Sequence, residues 1–253
     1  MGGQSESTLS PYLVTGASRG LGREIALKLA SIGLPVIAMA RPSKNLNAVG
    51  KELLALSSNA VIIACDLSSR DSIASAAEDI LERFSSLSGI VHNAGIITPI
   101  SQMIDSDIQT WSHSIQVNLL AVQDLTIRLM PLLLSAVHSR ITAISSGAAV
   151  NAISGWSAYC TSKAGLEMWV RCLAEEVADS NLSVVAVAPG IVNTEMQTEI
   201  RQASKKDFPL VNKFVSFHEK GELVCPMITA EKLLPIILGE RGRNGERLDV
   251  RDM

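Results

Sequence analysis

A tyrosine and a lysine four residues apart, Tyr159 and Lys163, are the side chains in this sequence best suited to acid–base chemistry. On a helix, residues at this spacing share one face, so the lysine ammonium can lie beside the phenol and favour its ionised form. An unperturbed tyrosine has a pKa of about 10, and a nearby positive charge makes it a better proton exchanger near neutral pH. The spacing alone fits a half-buried ring beside a solvated charge equally well, so other features of the chain must decide.

A glycine-rich segment near the N-terminus could supply a cofactor for that pair. Residues 15–22 read Thr-Gly-Ala-Ser-Arg-Gly-Leu-Gly, between a short apolar run and a helical pattern. In a strand–turn–helix unit, such glycines let backbone N–H groups approach phosphates, and the helix N-terminus adds a partial positive charge. The segment therefore predicts a dinucleotide pyrophosphate site, although its first two glycines are farther apart than in GxGxxG.

The end of the second predicted strand indicates which dinucleotide binds. An acidic residue there would accept the adenosine ribose hydroxyls and exclude a 2′-phosphate. The strand instead runs through Ala40 into Arg41 without an acid. Arg41 and Arg19 could hold a 2′-phosphate between two guanidinium groups, or each could be a solvated surface charge. The missing acid favours NADP(H) as the cofactor.

Alternating strand and helix patterns predict the elements that position these residues. Short apolar, β-branched runs separated by helical periodicity are typical of a parallel sheet with helices on both faces. The predicted strands are residues 12–15, 35–40, 60–65, 89–92, 140–145, 182–188 and 247–250. The predicted helices are residues 21–32, 72–84, 107–134 and 157–178, the third disturbed near its end by Pro131.

Length and composition favour a single domain over residues 1–253. With 253 residues and 47% hydrophobic side chains, the chain can bury a core and stays within the size of one α/β unit. Residues 191–228 interrupt the alternation and carry Phe208, Phe214 and Phe217 among charges. Such a long segment in a compact domain is usually a functional lid or a disordered excursion, and we predict a substrate-binding lid with short helices of its own. Residues 1–10 are predicted to be a flexible tail.

Charge and cysteine content argue against several kinds of partner. The formal net charge of −3, with no run of basic residues, offers no footprint for nucleic acid. No apolar run has the length of a membrane span, and the N-terminus lacks a signal core and places Glu6 where myristoylation requires Ser or Thr. We therefore expect a cytoplasmic protein. The four cysteines lack metal-ligand spacing, so we expect reduced thiols and no metal site.

Further motifs accompany the glycine-rich segment and Tyr159-x-x-x-Lys163. They are Asn93-Ala94-Gly95, Asn118, Ser146 and Pro189-Gly190. In this order and at these spacings, they resemble the short-chain dehydrogenase/reductase family in its single-domain form, over residues 12–252. The resemblance implies an α/β fold, a three-layer doubly wound Rossmann domain with a seven-stranded parallel sheet.

The resemblance also implies a catalytic set of Asn118, Ser146, Tyr159 and Lys163. Tyr159 would donate the proton to a substrate carbonyl oxygen as hydride arrives from the nicotinamide, and Lys163 would hold the nicotinamide ribose. Ser146 would hydrogen-bond the carbonyl oxygen, while its neighbour Ser145 points the other way. Asn118 would hold a water that connects the lysine to solvent.

The resemblance assigns a larger set of residues to the cofactor. In addition to Tyr159 and Lys163, this set comprises Gly16, Ser18, Arg19, Gly20, Leu21, Gly22, Arg41, Asp66, Leu67, Asn93, Ala94, Gly95, Pro189, Gly190, Val192 and Thr194. Asp66 would meet the adenine amino group, with Leu67 beside the ring. Arg19 and Arg41 match positions that NADPH-preferring members use.

Within the family, residues 145–150, 155–159 and 245–250 look most like the sepiapterin reductase and benzil reductase branch, which reduces diketones and side-chain ketones with NADPH. The implied substrate-binding residues are Ser146, Trp156, Tyr159, Met196 and Asp249. Trp156 would wall a flat, apolar pocket, although a core tryptophan fits the pattern equally well. Asp249 would anchor a pterin. The alternative is a strand-end aspartate satisfied by Arg247, Arg251 or water.

We therefore expect an NADPH-dependent carbonyl reductase with a small-molecule ketone or diketone substrate, and neither nucleic acid nor membrane as a partner. One alternative is an NAD(P)+-dependent dehydrogenase of a steroid or sugar alcohol. Another is a catalytically idle NADP(H)-binding sensor, against which the complete set of Ser146, Tyr159 and Lys163 argues. By analogy with the family, the long helices 107–134 and 157–178 would form the interface of a homodimer or homotetramer.

Overall fold

Seven parallel strands form one sheet, in the order β3-β2-β1-β4-β5-β6-β7. The strands are β1 Tyr12–Thr15, β2 Val36–Ala40, β3 Val61–Ala64, β4 Gly89–His92, β5 Ser139–Ile144, β6 Leu182–Ala188 and β7 Arg247–Asp249. The computed structural model describes residues 9–253, so most of the tail predicted at residues 1–10 lies outside the described residues. The predicted seven-stranded parallel sheet is confirmed, and each strand end lies within one residue of its predicted position.

Helices cover both faces of the sheet. They are α1 Gly20–Ser31, α2 Lys44–Leu56, α3 Arg70–Arg83, α4 Ile108–Ile115, α5 Ala121–Ser135, α6 Ser157–Glu176, α7 Glu195–Gln202, α8 Val211–Glu219 and α9 Pro226–Ile237. Buried side chains of α1, α2 and α9 pack on one face, and those of α3, α5 and α6 pack on the other. This arrangement is the predicted three-layer Rossmann fold.

Helix α2 was not among the helices predicted from the sequence. Helix α2 begins after Ser43, whose side chain accepts a hydrogen bond from the backbone N–H of Leu46 at 3.1 Å. Its buried residues Leu46, Val49 and Leu53 have helical spacing. The cap and the spacing were both readable in the sequence, so the helix could have been predicted.

The helix predicted at 107–134 is two α-helices joined by a π-helical turn at Gln116–Leu120. Pro131 does not end α5, which continues to Ser135. The whole stretch Ile108–Ser135 is apolar enough to cross a membrane, with a mean hydropathy of 1.4 in its best window, but half of that window is buried within the domain. The buried half packs in the core through residues such as Leu125 and Leu129, as in a core helix of a globular protein.

The predicted lid segment does contain short helices of its own, α7 and α8, before α9 begins. Phe208 is fully buried beneath Trp156, with the two rings stacked at 4.9 Å between centroids. Phe214 packs against both rings. The segment is therefore attached to the domain through an aromatic cluster next to Tyr159.

Candidate active site

A cavity of about 990 Å³ opens at the carboxyl ends of the strands, where the chain order reverses between β1 and β4. In doubly wound sheets, ligands bind at such a reversal. All but three of the predicted site residues line it. The exceptions are Gly22, Asn118 and Asp249, and the lining set is Gly16, Ser18, Arg19, Gly20, Leu21, Arg41, Asp66, Leu67, Asn93, Ala94, Gly95, Ser146, Trp156, Tyr159, Lys163, Pro189, Gly190, Val192, Thr194 and Met196.

The glycine-rich turn forms one wall of this cavity. Gly16 and Gly20 have φ angles of 66° and 56°, in the left-handed region that favours glycine. A side chain at Gly22 would lie 2.3 Å from the Asn93 amide nitrogen and 2.4 Å from the Gly16 carbonyl oxygen. Gly22 therefore lets α1 pack closely on the turn, while the N-terminus of α1 at Gly20 faces the cavity and suits a phosphate.

The ends of β1 and β4 are fixed to each other beneath that turn. The Thr15 hydroxyl accepts hydrogen bonds from the backbone N–H groups of Asn93 and Ala94, at 3.0 and 3.1 Å. The Asn93 side chain donates to the Thr15 carbonyl oxygen at 2.9 Å. These bonds hold the Asn93-Ala94-Gly95 segment as the floor of the cavity.

Charged groups gather at the end of the cavity near β2 and β3. The Asp66 carboxylate accepts hydrogen bonds from the Ser68 backbone and hydroxyl, which lower its pKa, and the Arg41 guanidinium lowers it further. Arg41 is exposed, and it forms no salt bridge with any other described residue. Arg19, by contrast, is paired with Glu195 of α7. Arg41 is thus the unpaired cation of the predicted pair, and Arg19 is half exposed and lines the cavity as well.

Tyr159 and Ser146 lie together at the other end of the cavity. Tyr159 is buried, and burial raises its pKa to about 12 against the opposing effect of the nearby Ser146 hydroxyl. The net shift is upward, opposite to the direction predicted from the lysine charge alone. A phenol with this pKa is protonated at neutral pH, as a proton donor must be.

Lys163 lies deep in the same wall, with its Nζ atom 5.7 Å from the centroid of the Tyr159 ring. The ammonium donates a hydrogen bond to the Ile144 carbonyl oxygen at 2.8 Å. Burial lowers the pKa of Lys163 to about 8, and the negative charge of Glu167 opposes that shift. Lys163 is therefore charged at neutral pH by a small margin.

Asn118 lies in the π-helical turn, behind the cavity wall. Its side-chain oxygen accepts a hydrogen bond from the Ile96 N–H at 2.8 Å, and its amide donates to the Ile96 carbonyl at 2.9 Å and to the Ser162 hydroxyl at 3.1 Å. A side chain at Gly95 would approach both the Asn118 oxygen and the Lys163 ammonium, at 3.2 and 3.6 Å. Asn118 thus ties the floor of the cavity to α6, and its predicted water contact stays a prediction.

Trp156 is both a wall of the cavity and part of the core. It is 5% exposed, stacks on Phe208 and meets the Tyr159 ring edge to face at 5.7 Å. Trp156 is therefore both a pocket wall and a core residue, and the two interpretations drawn from the sequence are compatible. Because Phe214 and Phe217 line the cavity as well, the space around Tyr159 has an aromatic wall.

Asp249 is not brought to the cavity surface. Its two carboxylate oxygens accept hydrogen bonds from the Arg251 side chain at 2.9 and 2.6 Å, and one of them also accepts from the Arg251 backbone at 3.0 Å. These bonds and the nearby charges lower the pKa of Asp249. Arg251 lines the cavity in its place, with its aliphatic part beside Gly190. This geometry corresponds to the alternative in which an arginine satisfies Asp249.

Several cavity residues were not predicted. Among them are Ser43 and Asn45 beside Arg41, Glu195 and Gln197 on α7, and Arg251. The polar residues directly after Arg41 gave a local signal. The α7 residues gave none, because only the folding of segment 191–228 brings them opposite the glycine-rich turn.

These features fit a dinucleotide that carries a nicotinamide. The cavity places a glycine-rich helix N-terminus, a cationic end and the Tyr159–Lys163 pair along one continuous surface. Within residues 9–253, no group of three or more His, Cys, Asp or Glu residues could hold a metal ion, and the four cysteines are free.

Comparison with known proteins defines the class. The family model for short-chain dehydrogenases matches residues 11–205, and the chain belongs to that family. It is an oxidoreductase that acts on carbonyl or alcohol groups with a nicotinamide cofactor.

Its relatives place it more narrowly, in the benzil and sepiapterin reductase-like branch. It is 34% identical over 259 residues to the benzil reductase ((S)-benzoin forming) of Bacillus subtilis (strain 168), covering 95% of this chain and 98% of that one. It is 34% identical over 186 residues to the NADPH-dependent pterin aldehyde reductase of Arabidopsis thaliana, covering 74% and 76% of the two chains. A short-chain dehydrogenase from Shigella flexneri 2a, solved with NADP, superposes with a TM-score of 0.81 at 25% identity, covering 96% and 98%.

Proposed function

We propose that the protein is an NADPH-dependent reductase of aromatic or vicinal diketones, with Tyr159 as the proton donor. The observation that carries this proposal is a buried phenol that lines the cavity together with Ser146, beside an aromatic wall. A flat, apolar carbonyl compound suits that wall. The Bacillus subtilis benzil reductase, which this chain matches over 95% of its length, supports the same substrate class.

The residues divide the chemistry among them. The cofactor, when bound, supplies the hydride. The Ser146 hydroxyl would donate a hydrogen bond to the substrate carbonyl oxygen, where negative charge develops. The Tyr159 phenol would then transfer its proton to that oxygen, and the Lys163 charge would stabilise the phenolate that remains. The lid aromatics would exclude water from the reacting carbonyl.

The choice of NADP(H) rests on the cationic end of the cavity. Arg41 follows β2 where no acid is present to accept ribose hydroxyls, and Ser43 and Asn45 line the cavity beside it. A guanidinium at this position can bind a 2′-phosphate through two parallel hydrogen bonds. The NADP-bound Shigella structure and the NADPH-dependent Arabidopsis relative support the same cofactor.

A turnover screen with NADPH tests this function. Benzil should be reduced to benzoin, with faster turnover than a ketosteroid or an aliphatic aldehyde, because those substrates match the aromatic wall less well. Chiral chromatography of the product and NADPH oxidation at 340 nm provide two independent measurements. If alcohol oxidation with NADP+ is fast and benzil is inert, the chain is an alcohol dehydrogenase and not a diketone reductase.

A pterin aldehyde is the second candidate substrate, suggested by the Arabidopsis relative. A pterin anchor would need a carboxylate free to accept two N–H groups. The Asp249 carboxylate is instead occupied by Arg251, and its side chain is 6% exposed. This pairing favours the diketone over the pterin.

The substitution Asp249→Asn separates the two substrates. We expect benzil and pterin reduction to change equally, by less than about threefold, because Asp249 has no free edge in the cavity. The matched control is Asp252→Asn, which makes the same substitution at a nearby exposed residue. A selective loss of pterin turnover by about tenfold or more, the size expected for a charged hydrogen bond, would show instead that Asp249 anchors the pterin.

The proposal also covers the oligomeric state and the cellular location of the protein. The large apolar side chains Ile108, Ile127 and Met168 on α4, α5 and α6 are 65%, 60% and 51% exposed. Exposed apolar side chains on these helices support a homodimer or homotetramer formed through them, as expected by analogy. A cytoplasmic location stays a prediction from the sequence.

A further inference from the structure

A buried carboxylate, Glu167, lies one helical turn after Lys163 on α6. Its side chain is 8% exposed. One carboxylate oxygen, Oε1, accepts hydrogen bonds from the Ser145 hydroxyl at 2.6 Å and from the Arg247 Nε atom at 2.9 Å. A buried charge is costly unless it is paired and hydrogen-bonded, so this one needs its partners on β7 and at the end of β5.

The bond to Ser145 bears on the geometry of the catalytic serine. Ser145 directly precedes Ser146, and its backbone N–H donates to the Val187 carbonyl oxygen of β6 at 2.8 Å. The segment is therefore held through its backbone on one side and through the Ser145 hydroxyl on the other. With both bonds in place, the backbone that carries Ser146 is held where β5 ends, so the position from which the Ser146 side chain projects is restrained.

The charge of Glu167 bears on Lys163. A spacing of four residues on a helix brings the two side chains to one face. The other titratable groups that face Lys163 are Tyr159 on the same helix and His92 at the end of β4. Burial and the Lys163 charge lower the pKa of His92 to about 3, so it is neutral at neutral pH. Tyr159 is neutral as well. Glu167 supplies a negative charge on the same helix face, close enough to favour the charged form of Lys163 but without a direct ion pair.

Arg247 completes the network from the last strand. It donates to Glu167, and its positive charge also lowers the pKa of Asp249. The Glu167 carboxylate is thus faced by Lys163 on its own helix, by Arg247 of β7 and by the Ser145 hydroxyl. Arg247 holds the carboxylate in place without removing its charge.

We propose that Glu167 is a positioning residue for the catalytic set, which fixes Ser146 through Ser145 and supplies the counter-charge to the Lys163 ammonium. The proposal rests on the proposed function, because it takes Ser146 and Lys163 as catalytic. Glu167 itself lines no part of the cavity and touches no reacting atom.

The test compares Glu167→Gln with wild type and with Glu175→Gln, an exposed position on the same helix. Glutamine keeps an acceptor for Ser145 and removes the charge. In the pH profile of benzil reduction, the loss of activity on the alkaline side should then shift to lower pH by about one unit. Removal of the negative charge favours a neutral Lys163. The Glu175→Gln profile should coincide with that of wild type.

A measurement without substrate separates this proposal from the proposed function. In cofactor-free protein labelled with ¹³C-lysine, the Cε shift of Lys163 follows its titration, and Lys163→Met assigns the signal. The pKa of Lys163 should be lower in Glu167→Gln than in wild type by a similar amount. If no carbonyl substrate is turned over, the proposed function fails while this titration still decides the role of the Glu167 charge.

Ser145→Ala tests separately whether the bond from Ser145 to Glu167 positions Ser146. This test remains available if Glu167→Gln does not fold. We expect kcat for benzil to fall by about threefold to thirtyfold, because a small displacement of a catalytic donor is costly, with the alkaline side of the profile unmoved. The proposal is overturned by an unchanged kcat in Ser145→Ala, or by a Lys163 titration that is the same in Glu167→Gln and wild type.

Discussion

Tyr159→Phe should lose nearly all carbonyl reduction while still binding NADPH. The substitution removes the proton donor used in the transition state, and it leaves the glycine-rich turn and the cationic end of the cavity unchanged. A general acid is commonly worth about 10²–10⁴ in rate, so we expect a loss in that range. Ser146 and the aromatic wall should remain in place, because phenylalanine keeps the ring packed against Trp156.

The measurement pairs NADPH titration by fluorescence with benzil turnover. The other tyrosine of the chain provides a matched control, since Tyr12 is buried on β1, and Tyr12→Phe removes a hydroxyl outside the cavity. Tyr12→Phe should retain wild-type turnover. Activity of Tyr159→Phe within about tenfold of wild type would show that another group donates the proton.

Arg41→Asp should reverse the cofactor preference from NADPH to NADH. The substitution removes a guanidinium that can bind the 2′-phosphate and places a carboxylate that repels it and can accept ribose hydroxyls. We expect the ratio of kcat/KM for NADPH to that for NADH to fall by about a hundredfold or more, from the lost charged hydrogen bonds and the added repulsion. The pKa of Asp66 should rise in this variant, because the Arg41 charge lowers it in wild type.

The ratio of the two kcat/KM values is measured in wild type, in Arg41→Asp and in a control variant, Arg243→Asp. Arg243→Asp makes the same change of charge at a side chain that is 92% exposed and outside the cavity, and it should leave the ratio unmoved. A wild-type preference for NADH, or a ratio that does not respond to Arg41→Asp, would contradict the assignment of Arg41.

Most of the fold could be predicted from the sequence because its signals are local. Strands such as β2 and β6 are buried on both faces, so they read as continuous apolar runs. The glycine-rich turn and the Asn93-Ala94-Gly95 segment each follow a strand directly, and parallel strands bring their carboxyl ends to one edge of the sheet. Contiguous motifs at strand ends therefore determined where the cavity lies and many of the residues that line it.

Only the tertiary structure decided which charges stay free to bind a ligand. Arg19 and Arg41 look equivalent in the sequence, but Glu195 of α7 pairs with Arg19, and Arg41 remains available. Similarly, Asp249 is closed off by Arg251, and Glu167 meets Ser145 and Arg247 from two other elements. Hydrophobic periodicity is a property of neighbouring residues and can be read along the chain. The partner of a charged side chain depends on which distant segments pack beside it and exclude water from it, and that is set only when the domain has folded.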